Sequence, residues 1–155
     1  MSLIYEKLNI LTISKGIICH GVNCQGKMGA GVAKYIRVKW PIVFSQYNEY
    51  CLSKSNKIEL MGKVNLVRVA EDLFVANCFT QLYYGREQHI YADITSLTSS
   101  LQTLFDLNEK VYKLPIYMTK IGCGLGGLNW EKDVEPVMIE LSKKYSFNIT
   151  VCLFD

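Results

Sequence analysis

Two glycine-rich turns, Gly26-Lys27-Met28-Gly29-Ala30-Gly31 and Gly122-Cys123-Gly124-Leu125-Gly126-Gly127, each follow an apolar strand-like run and precede a helical pattern. A strand-to-helix turn made of glycine lets several backbone N–H groups converge on an anion, and the helix behind it adds the positive end of its dipole. Two such turns within 155 residues restrict the chain to an alternating α/β architecture in which both serve one phosphate-bearing ligand.

The rest of the chain fits that alternation. Leu8 to Ile13 and Ile17 to Asn23 read as strands joined by a turn at Ser14-Lys15-Gly16, and Val32 to Lys39 as a helix. Pro41 opens a second helix carrying Ile42, Val43, Phe44, Tyr47, Tyr50 and Cys51, which fades in the polar run Ser53 to Lys57. Val64 to Ala70 and Leu73 to Phe79, flanking Glu71-Asp72, predict an antiparallel hairpin and hence a mixed sheet. Asp93 is placed to cap a helix bearing Leu97, Leu101, Leu104 and Phe105. Val111 to Met118 predicts another strand, Trp130 to Tyr145 an amphipathic helix, and Asn148 to Phe154 a closing strand. The expected fold is a single three-layer α/β/α sandwich with a mixed central sheet, its ligand lying beyond the carboxyl ends of the strands.

Half the residues are apolar, enough to cover both faces of such a sheet, and the net charge of +3 arises from 17 basic and 14 acidic residues without a dense basic stripe. That balance suits a small anion better than a nucleic acid duplex. No apolar stretch is long enough to span a bilayer. The six cysteines lie in or beside apolar runs, no secretory signal precedes Leu3, and no C-x-x-C pair occurs, so reduced cytoplasmic thiols are expected. A zinc site from Cys19, His20, Cys24 and Cys123 is the weaker alternative, and neither metal nor cofactor is expected. A monomer is expected as well.

Gly122, Gly124 and Gly127 satisfy G-x-G-x-x-G, but only one strand remains after them, which argues against a dinucleotide fold. The first turn lacks the G-x-x-x-x-G-K-[ST] of a nucleoside triphosphatase, because Lys27 precedes Met28 and not a closing hydroxyl residue. More specific is the run His20-Gly21-Val22-Asn23-Cys24-Gln25-Gly26-Lys27-Met28-Gly29-Ala30-Gly31-Val32-Ala33, which resembles the signature of the macrodomain family. Ile121 to Trp130 looks like that family's second phosphate loop, and Ile149 to Asp155 is similar to its closing strand.

The resemblance implies ADP-ribose, or a phosphorylated or acylated derivative of it, as the ligand, and an ADP-ribosylated protein as a possible partner. The implied binding residues are Asn9 and Ile10 at the adenine end, Lys27, Met28, Gly29, Ala30, Gly31 and Val32 in the first loop, and Gly122, Cys123, Gly124, Leu125, Gly126, Gly127 and Leu128 in the second. Phe154 would stack on adenine, and Asn23 would hold the distal ribose. Each has an ordinary alternative: Asn9 as a turn residue, Asn23 as a loop cap, Phe154 as a sheet-face residue.

Within the family the chain is most similar to the branch of ADP-ribose 1″-phosphate phosphatases, whose H-x-x-N-C-x-G arrangement His20, Asn23, Cys24 and Gly26 reproduce. Related glycohydrolases carry an aspartate where Gly126 stands and a nucleophilic lysine where Gln81 falls, so their chemistry is not expected here. The catalytic candidates are His20, Asn23 and Asp133. His20 would protonate the leaving oxygen or activate water, with a buried, hydrogen-bonded core histidine as the alternative. Asp133 and Glu131 would assist water, or would only stabilise a helix start. Tyr83, Tyr84, Gly85, Arg86 and His89 form a polar aromatic loop placed to wall the distal ribose. A non-catalytic reader of ADP-ribose, or a hydrolase of ADP-ribosyl esters or O-acetyl-ADP-ribose, would need the same cradle.

Overall fold

The computed structural model describes residues 3–85 and 89–153. Its strands are β1 Leu3–Lys7, β2 Gly16–Asn23, β3 Val64–Ala70, β4 Leu73–Gln81, β5 Ile116–Met118 and β6 Ile149–Leu153, and its α-helices are α1 Gly31–Lys39, α2 Pro41–Leu52, α3 Ile94–Leu107 and α4 Glu135–Ser142. The strands form one mixed sheet in the order β1-β6-β5-β2-β4-β3. Every pairing is parallel except β3 with β4.

Strand alternation divides the core between the two faces of the sheet. Ile17 and Cys19 of β2 pack with Leu97, Leu101, Leu104 and Phe105 of α3 and with Met138 and Leu141 of α4. Ile18 and Val22 pack on the other face with Ile36 of α1 and Val43, Tyr47 and Cys51 of α2. Central β2 and β4 are covered on both faces, which is why they are apolar almost throughout. Pro41 sits at the first turn of α2, and Asp93 caps α3 by accepting from the Ser96 N–H at 3.0 Å and the Ser96 hydroxyl at 2.8 Å.

Three expected strands are corrected. Leu8 to Ile13 is not a strand: β1 lies upstream, and Asn9 draws the chain into a 3-10 turn over Ile10–Thr12 by accepting from the Leu11 N–H at 2.9 Å. Nor is β1 a neighbour of β2, since it pairs with β6 at the sheet edge. Of Val111 to Met118 only Ile116–Met118 is strand. The chain after α3 continues as a π-helical turn over Asn108–Tyr112, and the buried Asn108 amide brackets its exit, donating to the Leu114 carbonyl at 2.9 Å and accepting from the Leu114 N–H at 3.0 Å. β4 runs two residues beyond Phe79, to Gln81.

This topology fixes where a ligand can sit. From the carboxyl end of β2 the chain turns into α1 on one face. The neighbouring strand β5 leads, through a loop, to α4 on the other. The crevice left where the connections diverge is the general ligand position of open α/β sheets. Both glycine loops emerge beside it.

Candidate functional site

A cleft of about 1680 Å³ opens at the carboxyl ends of the parallel strands. Lys27 to Val32 of the first loop and Gly122 to Gly126 of the second line it together, although nearly a hundred residues separate them in sequence.

The first loop is held by side chains. Asn23, buried at the end of β2, accepts on Oδ1 from the Gln25 N–H at 2.9 Å and from the Tyr47 hydroxyl at 2.9 Å, and donates through Nδ2 to the Lys27 carbonyl at 2.9 Å. Asn48 donates to the Gly26 carbonyl at 3.3 Å. Gly29 and Gly31 have open space where a Cβ would be, and Gly31 adopts φ +61°, so an approaching anion meets bare backbone. Ala30, the N-cap of α1, offers no side-chain acceptor, so the first N–H groups of the helix stay available.

The second loop is held by backbone hydrogen bonds, from the segment before α3 and from its own exit. The Gly126 carbonyl accepts from both Tyr91 and Ala92, and the Gly122 carbonyl accepts from the Leu128 N–H at 3.0 Å. Among the described residues the N–H groups of Gly124, Leu125 and Gly126 have no acceptor within the protein. A Cβ on Gly126 would lie 2.6 Å from the Gly122 carbonyl oxygen. The aspartate that distinguishes the glycohydrolase-like loops therefore does not fit this loop path.

The floor between the loops is polar in an otherwise apolar sheet. His20, 2 % exposed, places Nε2 at 2.6 Å from Asn77 Oδ1, and Asn77 Nδ2 donates to Asn65 Oδ1 at 3.0 Å. Burial lowers the His20 pKa to about 4, against a smaller opposing contribution from the Asn77 hydrogen bond. The ring is therefore neutral near pH 7: its lone pair can accept a hydrogen bond, but it is a weak base and too rarely protonated to act as a general acid. Among the described residues only two buried side-chain polar atoms lack a partner, His20 Nδ1 and Thr80 Oγ1, and both residues line the cleft. Buried orphan polar atoms are costly unless something else satisfies them. Regular alternation would set His20 and Asn23 on opposite faces, but the register shifts between Val22 and Asn23, where β4 inserts Thr80. Asn23, at the end of β2 where this shift falls, lines the cleft as well.

Lys27, Arg37 and Lys120 line the cleft, and no aspartate or glutamate does among the described residues. Glu131 stands 4.0 Å from Lys120 at an exposed position, too weak a pairing to neutralise it. Burial, followed by the nearby Asp133 charge, pushes the Cys123 thiol up to about 11, leaving it protonated and weakly nucleophilic. Among the described residues no group of His, Cys, Asp and Glu is arranged to hold a metal ion.

Of the other candidates, Asn9 and Ile10 line the cleft, with the Asn9 side-chain Oδ1 already accepting from the Leu11 N–H. Gly127 and Leu128 lie behind the loop and do not line it. Asp133 does not line it either. Its carboxylate accepts from the Asn129 N–H at 2.8 Å while Asn129 accepts from the Lys132 N–H at 2.8 Å, a reciprocal helix cap. Tyr84 and Gly85 do line the cleft, whereas Arg86 and Phe154 fall outside the described residues. Thr80, Tyr35 and Lys120 are lining residues that sequence reasoning missed. For Thr80, and for Asn77 behind His20, the available signal was a polar residue inside the apolar run of β4.

The mixed sheet, its two helical layers and the paired glycine loops define a ligand-binding domain of the α/β/α class. The Macro domain family matches residues 19–138, and the chain belongs to it. It is 28% identical over 142 residues to a protein from Candida albicans named ADP-ribose 1″-phosphate phosphatase, with 88% of each chain covered. It is 24% identical over 135 residues to a Mycobacterium tuberculosis protein named DNA ADP-ribosyl glycohydrolase, covering 87% of this chain and 37% of that one. The macrodomain of Mycobacterium tuberculosis DarG superposes with a TM-score of 0.81 over 98% of each chain at 20% identity, a likeness of fold.

Proposed function

We propose that this macrodomain binds ADP-ribose in the cleft and hydrolyses the phosphate monoester of ADP-ribose 1″-phosphate. The observation that carries the reading is a cleft containing two sets of unpaired amide N–H groups and three cationic side chains, with no carboxylate among the described residues that line it. The relatives named as phosphatases cover nearly the whole chain and support the same substrate.

Catalysis in such a site is mostly positioning and charge stabilisation. The loop amides hold the phosphates, and the α1 dipole and Lys27 offset their charge. Asn23, locked by Tyr47 and Gln25, keeps the first loop in place and has one Nδ2 proton left for a ribose hydroxyl. Water attacks phosphorus, the bond from phosphorus to the ribose oxygen breaks, and ADP-ribose and inorganic phosphate leave. Neutral His20 receives a hydrogen bond from that water or from the sugar. Asp133 is assigned no part in this scheme, because its carboxylate is spent on the helix cap.

Incubation with ADP-ribose 1″-phosphate and assay of free phosphate tests the enzyme. Turnover above buffer is expected, falling at least tenfold in Asn23→Ala. Calorimetric binding of ADP-ribose without turnover would replace it with the non-catalytic reader. Release of ADP-ribose from an ADP-ribosylated protein or from O-acetyl-ADP-ribose, without phosphate release, would move the activity to esters. The proposal extends to a cytoplasmic monomer, supported by six free cysteines, and gel filtration checks the monomer.

A further inference from the structure

The polar row beneath the cleft has a direction. Asn65 on β3, Asn77 on β4 and His20 on β2 are register partners across three adjacent strands. From the half-buried Asn65 inward, each link is satisfied: Asn65 Oδ1 accepts from Asn77 Nδ2, and Asn77 Oδ1 faces His20 Nε2. The row ends at His20 Nδ1, which has no partner among the described residues, on a residue that lines the cleft. Replacing three polar side chains in a sheet core with apolar ones of similar size would remove a desolvation cost. Hydrogen-bond bookkeeping within the sheet does not explain a row that is satisfied everywhere except at its ligand end.

The roles follow from donor and acceptor inventories. Asn77 spends its amide N–H on Asn65, so the oxygen is what it turns toward His20, and an oxygen can only accept. His20 must then carry its proton on Nε2, and Nδ1 holds the lone pair. We propose that Asn77, oriented by Asn65, is a positioning residue that locks His20 as the Nε2–H tautomer, so that Nδ1 serves the cleft as a hydrogen-bond acceptor for a ligand hydroxyl or a bound water. The relay itself is independent of which ligand binds; the identity of the hydroxyl donor rests on the ADP-ribose reading above. In this arrangement His20 selects for a donor at the distal end of the ligand.

Nitrogen-15 NMR of histidine-labelled protein tests this directly, because the chain has only two histidines, His20 and His89. At pH 7 the wild-type His20 is expected as a single Nε2–H tautomer, and added ADP-ribose is expected to shift the Nδ1 resonance. Asn77→Leu removes the acceptor: both tautomers should appear, and ADP-ribose affinity should fall in proportion to the fraction left as Nε2–H, about twofold for an equal mixture. Asn77→Asp retains an acceptor oxygen but, as a carboxylate, favours the imidazolium; at a pH high enough to deprotonate the ring it should again give the single Nε2–H tautomer. Should Asn77→Leu fail to fold, Asn65→Ala, at a half-buried position, should release the Asn77 amide and give the same mixture more weakly. An Nδ1–H tautomer in the wild type, or an unchanged tautomer in a folded Asn77→Leu or Asn65→Ala protein, would overturn the relay. ADP-ribose binding that leaves Nδ1 unmoved would overturn the acceptor role. The expected tautomer pattern with no ADP-ribose binding would instead sink the function proposed above and leave the relay standing.

Discussion

The two glycine loops perform one task by different means. The first is braced from outside by Asn23, Tyr47 and Asn48, and its exposed glycines, Gly29 and Gly31, face empty space. The second is braced through backbone, with Tyr91 and Ala92 donating to the Gly126 carbonyl: Gly122 and Gly127 take φ +79° and +87°, and a Cβ at Gly122, Gly126 or Gly127 would collide with neighbouring atoms. Gly29 and Gly31 in the first loop, like Gly124 in the second, therefore leave room for the ligand, while Gly122, Gly126 and Gly127 serve the packing of the second loop, as Gly26, at φ +77°, serves that of the first. Similar sequence patterns carry different physical demands.

That contrast predicts a ranked series of effects. Gly126→Ala drives a Cβ into the Gly122 carbonyl oxygen and should cost about 3 kcal/mol of stability in urea unfolding and remove ADP-ribose binding. A variant as stable as the wild type would abolish the distinction between the loops. Acid titration probes the floor shared by both. His20 has a folded pKa of about 4 and an unfolded value near 6.5, so the unfolded chain takes up the proton first. Its contribution to stability is full above about pH 6.5 and declines as the pH falls to about 4, by about 3 kcal/mol, and the wild type minus His20→Gln difference in denaturant midpoints should trace that window.

Asn23→Ala strips the first loop of its brace and costs the buried Tyr47 hydroxyl its side-chain acceptor, leaving it the Asn23 backbone carbonyl at 2.7 Å. About 2 kcal/mol should be lost in thermal or urea unfolding, together with ligand affinity. Gly31→Ala meets no atom but must hold φ +61°, which should cost about 1 kcal/mol. Gly29→Ala should change stability by less than about 0.5 kcal/mol and yet weaken ADP-ribose binding in calorimetry, because its methyl group enters the space left for the ligand. Equal stability losses in Gly29→Ala and Gly126→Ala would show that both loops are packed alike.

Much of the architecture was legible because it is local. Asp93 and Pro41 mark their helices by capping and by a missing N–H, and Leu97, Leu101, Leu104 and Phe105 recur at helical spacing and are fully buried. The misread segments are those in which one polar side chain diverts an apolar run. Asn9 turns the chain after β1, and Asn108 shortens the strand expected from Val111. In both places the apolar pattern was real and the hydrogen bond to backbone decided the geometry. Asp133 was misleading for the opposite reason: a carboxylate close in sequence to a phosphate loop was satisfied locally, by Asn129, and stayed out of the cleft.

The sequence by itself determined the alternation of strands and helices, the presence of two amide-lined turns and the macrodomain signature, because periodicity, capping and glycine's backbone freedom act within a few residues. Only the tertiary structure decided that both turns open onto one cleft, that His20 is neutral, that Asn77 and Asn65 stand behind it, and that Thr80 lies in a bulge beside it. Those outcomes depend on strand order, register and burial, and each is set by contacts between segments far apart in the chain.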